Sequence, residues 1–152
     1  MIRTIEGFRR DDLGDWVAEL SCLHGQHVRH QPPFVDRGWV VTAEGRAARV
    51  GTGIDCPLCD RGELPDGLHV VRTAGPFDDR SVPRGLLRDH RVAPRTWARL
   101  RVLAGSVAIA MGTDPSTRYE LASGEDRGIP PEVVHAVALS GDARIEIDFL
   151  SL

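Results

Sequence analysis

Residues 144–149 read Arg144-Ile145-Glu146-Ile147-Asp148-Phe149. Apolar and charged side chains alternate without a break. That is the period of a β-strand with one dry face, as in an antiparallel sheet. Working backwards, segments 68–72, 96–103, 106–111, 118–122 and 133–139 also suit short strands, with Gly and Pro turn signals between them. Six or more such strands predict a sandwich or barrel. Helix is scarce here: only Pro83-Arg84-Gly85-Leu86-Leu87-Arg88 suits a turn or two.

Upstream the texture changes. Asp60-Arg61-Gly62-Glu63-Leu64-Pro65-Asp66-Gly67 gathers charge, Gly and Pro, as a linker does. The expected boundary lies near Gly62, giving domains 1–62 and 63–152. All three cysteines precede residue 60. Segments 15–20 and 38–42 suit strands, 43–50 a short helix or turn, and Gln31-Pro32-Pro33-Phe34 breaks any helix running through the histidines.

The 152 residues are 41% hydrophobic and 27% charged, the balance of a folded domain or two. A net charge of −3 argues against a dedicated nucleic-acid binder. All nineteen basic residues are arginine, which excludes Schiff-base or P-loop lysine chemistry. No apolar run is long enough to cross a bilayer, and the start, MIRTIEGFRRDD, has no signal-peptide core. The expected location is the cytoplasm, where three cysteines suggest a metal or a reactive thiol before a disulfide.

Cys56-Pro57-Leu58-Cys59 offers two soft ligands from one tight turn, and Cys22 is a natural third. Thiolate and imidazole are the usual zinc ligands, so His24 or His27 would complete a tetrahedron. His24 is preferred, because Cys22-Leu23-His24 makes a compact knuckle. A redox dithiol is the rival, but it needs a strand before it and a helix after it. Gly51-Thr52-Gly53 and Asp60-Arg61-Gly62 speak against that helix. Structural zinc contributes on the order of 10–16 kcal/mol of apparent binding energy to small folds. His27, Arg29 and His30 remain over. They form a cationic site for an anion or a second metal, or else a surface strand packed on Trp16 or Trp39.

This first part resembles a family of short, uncharacterised bacterial proteins. The shared residues include Asp15-Trp16-Val17-Ala18-Glu19-Leu20, Cys22-x-His24-x-Gln26-His27-Val28-Arg29-His30, Pro32-Pro33-Phe34 and Cys56-Pro57-Leu58-Cys59. The family pattern has Gly after the first Cys, where this chain has Leu23. No activity comes with the resemblance.

In the second part, Gly124-x5-Pro130-x-Glu132-x2-His135 is similar to the second cupin motif, with Glu132 in place of a Gly. Gly85-x4-His90 and Gly105 match parts of the first motif, whose second His position is Val92 and whose Glu position falls near Trp97. The resemblance implies a cupin-like sandwich or barrel with metal ligands at its mouth: His90, Glu132 and His135, holding Zn, Fe or another divalent ion. The plainer reading makes His135 a core-edge histidine and Glu132 an exposed turn residue.

Val82-Pro83-x-x-Leu86-Leu87-x-x-His90-Arg91, Trp97-Ala98-x-Leu100-x-Val102-x-x-Gly105 and Ile129-Pro130-Pro131-Glu132-x-Val134-His135 look like the tellurite-resistance cupin-like domain. No glycine-rich nucleotide loop is present, so methyl transfer is not expected of this chain. The fold class is therefore mainly β: a small zinc-bound β-rich module, then a cupin-like antiparallel sandwich or barrel. The leading functional expectation is a metal-binding protein that binds or senses a small anion in oxyanion or oxidative stress. Arg95 and Arg99 would neutralise that anion and Trp97 would wall its pocket. The rivals are a small-cupin metalloenzyme (a non-haem iron dioxygenase or isomerase) and a structural, protein-interaction module. No nucleic-acid or membrane partner is expected; a homodimer is expected by analogy.

Overall fold

A computed structural model of the chain describes residues 1–112 and 117–152. It divides into two compact units, Met1–Arg61 and Gly62–Leu152. No described helix is long and apolar enough to cross a membrane.

Unit 1 is built on one antiparallel sheet. Its strands are β1 (Ile2–Arg10), β2 (Trp16–Leu20), β3 (Gly25–His27) and β4 (Gly53–Asp55), in the order β3-β2-β1-β4. β1 is flanked by β2 and β4 and runs antiparallel to both. The C-terminal ends of β2 and β4 therefore meet beside the start of β1, where Ile5 faces Leu20 and Ile2 faces Asp55. That topology brings the residues after Leu20 next to those after Asp55. The core is small: Ile5, Val17, Ala18, Leu20, Val28 and Val40 are its buried apolar side chains, with the three cysteines. Each Val, Leu or Ile among them contributes about 1.5–3 kcal/mol on burial.

Two local expectations are corrected. The segment 38–42 is not a strand. Gly38–Val40 forms a 3₁₀ turn and Thr42 caps the helix α1 (Ala43–Ala47), its Oγ1 accepting from the N–H of Gly45 at 3.0 Å. A capping threonine outweighs the β-propensity of Val40 and Val41. The run after Cys56 is helical after all, as α2 (Pro57–Arg61). Pro57 occupies the first helical position, where its missing N–H costs nothing. Gly62, at φ 69°, supplies the left-handed residue that ends the turn.

Unit 2 is a sandwich of two antiparallel sheets. One holds β7 (Ser106–Met111), β8 (Arg118–Ala122) and β10 (His135–Leu139), in the order β10-β7-β8. The other holds β5 (His69–Phe77), β6 (Trp97–Ala104), β9 (Asp126–Ile129) and β11 (Arg144–Ser151), in the order β5-β11-β6-β9. The segment 83–88 holds a single 3₁₀ turn, Arg84–Leu87. Leu100, Val102, Val107, Ile109, Ile145 and Ile147 lie between the sheets and are nearly inaccessible. The alternation of the 144–149 stretch sends Ile145 and Ile147 inward. Its other face is drier than alternation alone implies. Asp148 is 2% exposed, covered by Arg99 and Arg101, which pair with it.

Candidate metal centre

Cys22 and His24 sit in the turn that joins β2 to β3. The N–H of Leu20 donates to the carbonyl of His24 at 3.0 Å, and that of Leu23 to Leu20 at 2.7 Å. To close this knuckle Leu23 adopts φ 72°, a left-handed conformation that favours Gly. Cys56 and Cys59 come from the start of α2, where the N–H of Cys59 donates to the carbonyl of Cys56 at 3.1 Å.

The four ligand atoms converge. Nδ1 of His24 lies 3.5 Å from the sulfurs of Cys22 and Cys56 and 3.7 Å from that of Cys59. The sulfurs of Cys22 and Cys56 are 3.9 Å apart, and all four atoms lie within 4.8 Å of one another. All four residues are buried. Among the described residues this is where three or more His, Cys, Asp or Glu donors come within reach of one ion.

The electrostatics of the cluster favour positive charge at its centre. Burial opposes a charged His24 ring, but hydrogen bonds and charge from Cys22 and Cys56 outweigh it and hold its pKa up at about 9. Hydrogen bonds from Cys22 and Cys59 push the Cys56 thiol down, while those same neighbours and burial push the Cys59 thiol up. One thiolate thus forms at the expense of the next. A divalent ion at the centre would let all three ionise, which is the physical reason this donor set suits a metal.

The other histidines of the motif lie elsewhere. Nε2 of His27 is 2.8 Å from Asp11, and Arg29 donates to Asp15 at 2.8 Å. Nδ1 of His30 accepts from the N–H of Arg37 at 3.1 Å. His27 and Arg29 each have a carboxylate of their own, so these residues do not pool their charge into one anion site.

In unit 2 the structure joins His90 and His135 but not Glu132. His90 and His135 form an isolated bridge, each donating its N–H to the other's carbonyl at 2.9 Å. Their rings meet edge-on, with Nδ1 of His90 3.1 Å from Nε2 of His135. Nδ1 of His135 lies 2.9 Å from the carbonyl of Val133. Burial holds the His135 pKa down, the Val133 bond works against this, and the charge of His90 adds to the lowering. Both rings line a narrow cavity with Leu86, Val92, Leu100, Ile129, Ile147 and Phe149. Its open volume of about 10 Å³ is roughly what one water needs.

Glu132 departs from the three-ligand expectation because of its backbone. At φ 62° it turns, its N–H donates to Val92 at 2.9 Å, and its side chain is exposed. No group of three donors forms around His90 and His135 among the described residues. The anion-site residues Trp97 and Arg99 lie on the opposite face of β6 from the cavity-lining Ala98 and Leu100. Trp97 is fully buried, and Arg99 is committed to Asp148 at 2.8 Å. Arg95 sits in the preceding turn at φ 58°. Sequence reading missed two features: the carbonyl of Val133, a main-chain atom with no side-chain signature, and the exposed Arg84, Arg88 and Arg91 on the segment that carries Leu86 and His90 to the cavity. Three arginines in eight residues were the available signal.

A small sheet with a three-cysteine, one-histidine centre, followed by a two-sheet sandwich with a histidine pair, defines a two-module protein with one candidate metal site among the described residues. The chain belongs to the TehB-like domain family, whose model matches residues 72–147. Residues 6–63 match a second family, described as a protein of unknown function (DUF3565). Among solved structures, the chain is similar to a crystal structure of a protein from E. coli (strain K12). That match has 22% identity and a TM-score of 0.55, covering 58% of this chain and 94% of the other. It is also similar to TehB from Haemophilus influenzae, at 22% identity and a TM-score of 0.52, covering 57% of this chain and 32% of TehB. At that identity the likeness is one of fold, and the chain spans about a third of TehB. No curated protein matches the chain.

Proposed function

We propose that this chain is a zinc-holding binding protein of the tellurite-resistance, TehB-like kind. Cys22, His24, Cys56 and Cys59 hold a structural zinc in unit 1. Unit 2 binds a small anion beside His90, in the response to oxyanion or oxidative stress. The cytoplasm, which keeps thiols reduced, suits the three free cysteines.

One observation carries the zinc. With Zn–S near 2.3 Å and Zn–N near 2.0–2.1 Å, a tetrahedron has edges of about 3.8 Å between sulfurs and about 3.6 Å between sulfur and nitrogen. The spacings in the cluster are 3.9 Å for the Cys22–Cys56 pair and 3.5–3.7 Å to His24. Four buried donors leave no open position, so the role is structural. The anion reading is supported by Arg84, Arg88 and Arg91, exposed on the segment beside the cavity. The cavity itself is too narrow for an oxyanion, which would rest at its mouth against half-buried His90.

Elemental analysis of protein purified without chelator tests the zinc. One zinc per chain is expected, falling to a small fraction in Cys59→Ser. A metal-free protein, or zinc unchanged by that substitution, would defeat the proposal.

A further inference from the structure

The hydrogen bonds around His135 have a fixed direction. A carbonyl only accepts, so Nδ1 of His135 carries a hydrogen and donates it to Val133 at 2.9 Å. His135 is 3% exposed and neutral, which leaves Nε2 as a lone pair. The His90 nitrogen 3.1 Å away must then donate, so the His90 hydrogen sits on Nδ1. The chain of polarity ends at Nε2 of His90, a half-buried residue, which is left with a lone pair. Arg88, Asp89 and Arg91 flank His90 in sequence, and Glu132 is exposed on the side of β10. Arg91 is engaged with the carbonyl of Glu132 at 3.0 Å. The cavity side chains from β6, β9 and β11 are all apolar.

We infer that unit 2 selects anions that bring a proton: its ligand is a hydrogen-bearing oxyanion that donates an O–H to Nε2 of His90. An anion without that hydrogen meets lone pair against lone pair. The arginines attract either kind. The histidine chain tells them apart. This rests on the anion reading above and adds the chemistry of the anion to it.

Hydrogen phosphate and sulfate are the probes. Above neutral pH both are tetrahedral dianions of nearly one size, differing by a single hydrogen. Calorimetric titration of the whole chain at about pH 8 is expected to show hydrogen phosphate binding at least about tenfold more tightly, the worth of one good hydrogen bond. His90→Ala is expected to bring the two affinities together. Its backbone bridge to residue 135 is main-chain and survives the change. His90→Gln, which offers an amide oxygen as acceptor, is expected to keep part of the preference. Sulfate binding as tightly as hydrogen phosphate, or a preference intact in His90→Ala, would overturn the inference and leave the anion reading standing. If neither dianion binds at millimolar concentration, the anion reading fails and takes the inference with it.

Discussion

The sulfur of Cys22 lies 3.9 Å from that of Cys56, across 34 residues of chain. Nothing local holds them there; the antiparallel flanks of β1 do. The zinc would close this junction, and a unit of about sixty residues has a marginal core without such help. Chelation is therefore expected to unfold unit 1 and leave unit 2 intact. Hydrogen exchange reports each unit separately. Amides of residues 1–61 should lose protection on metal removal, while those of β6, β7 and β11 keep it. Protection of β1 and β2 that survives chelation would show that the sheet stands without metal.

Leu23 holds φ 72° between two of the four ligands. A branched side chain pays roughly 1–2 kcal/mol for that region relative to Gly. Leu23→Gly is expected to stabilise unit 1 by about 1 kcal/mol, after the greater freedom of Gly in the unfolded chain takes back part of the gain. Leu23→Ala is the control, since it removes the half-buried side chain without relieving the backbone. Denaturant unfolding of the metal-loaded protein should rank Gly above Leu and Ala below it. A loss of stability with Gly would mean that the packing of Leu23 outweighs its strain.

Asp148 accepts from the hydroxyl of Thr73 at 2.7 Å and from Arg99 at 2.8 Å. Burial raises its pKa, but the Thr73 and Arg99 bonds and the charge of Arg101 and Arg99 lower it further, so the net shift is downward. A depressed carboxylate pKa stabilises the fold above the unfolded value of about 3.9, and that contribution is lost as pH falls through the folded pKa. The wild-type chain should therefore melt above Asp148→Asn at neutral pH, with the gap closing on acidification below about pH 4. Melting curves across pH test this. A gap that persists in acid would assign the loss to packing rather than to charge.

The strands of unit 2 were legible because their faces differ. Ile145 and Ile147 against Glu146 and Asp148 leave one assignment. β1 was not legible for the opposite reason: Ile2 is 67% exposed while Arg3 is buried alongside Ile5, so residue type misleads at its start. β9 was hidden by Asp126-Arg127-Gly128, three residues that read as a turn. The Cys/His set was legible from residue types and spacing alone. The helix in which Cys59 sits was not, because Asp60-Arg61-Gly62 reads as a helix breaker where it is a helix end. The pairing of His90 with His135 is long-range and main-chain in origin, so motif spacing suggested their proximity but not their mutual hydrogen bond.

Gly128 is where a strand hidden by its own glycine becomes testable. Its N–H donates to the carbonyl of Gly62 at 3.0 Å. A Cβ built there would lie 2.4 Å from that same oxygen and 3.1 Å from both Leu64 and the Trp97 ring. The oxygen is main-chain and Trp97 is fully buried, so neither has room to give. Gly128→Ala is expected to destabilise unit 2 by about 1–3 kcal/mol, the usual cost of overpacking, by prising residues 62–64 off β9. Gly141 is the matched control: a Cβ there meets nothing within 4 Å. Gly141→Ala should therefore leave stability within about 0.5 kcal/mol of wild type, as surface changes do. Trp97 is the only tryptophan of unit 2, so its fluorescence in a Trp16→Phe, Trp39→Phe background follows the unfolding of this unit alone. An early shift to the exposed signal in Gly128→Ala, absent in Gly141→Ala, is the expected pattern. Equal curves for the two variants would mean that the segment at Gly62 does not rest on β9 in solution.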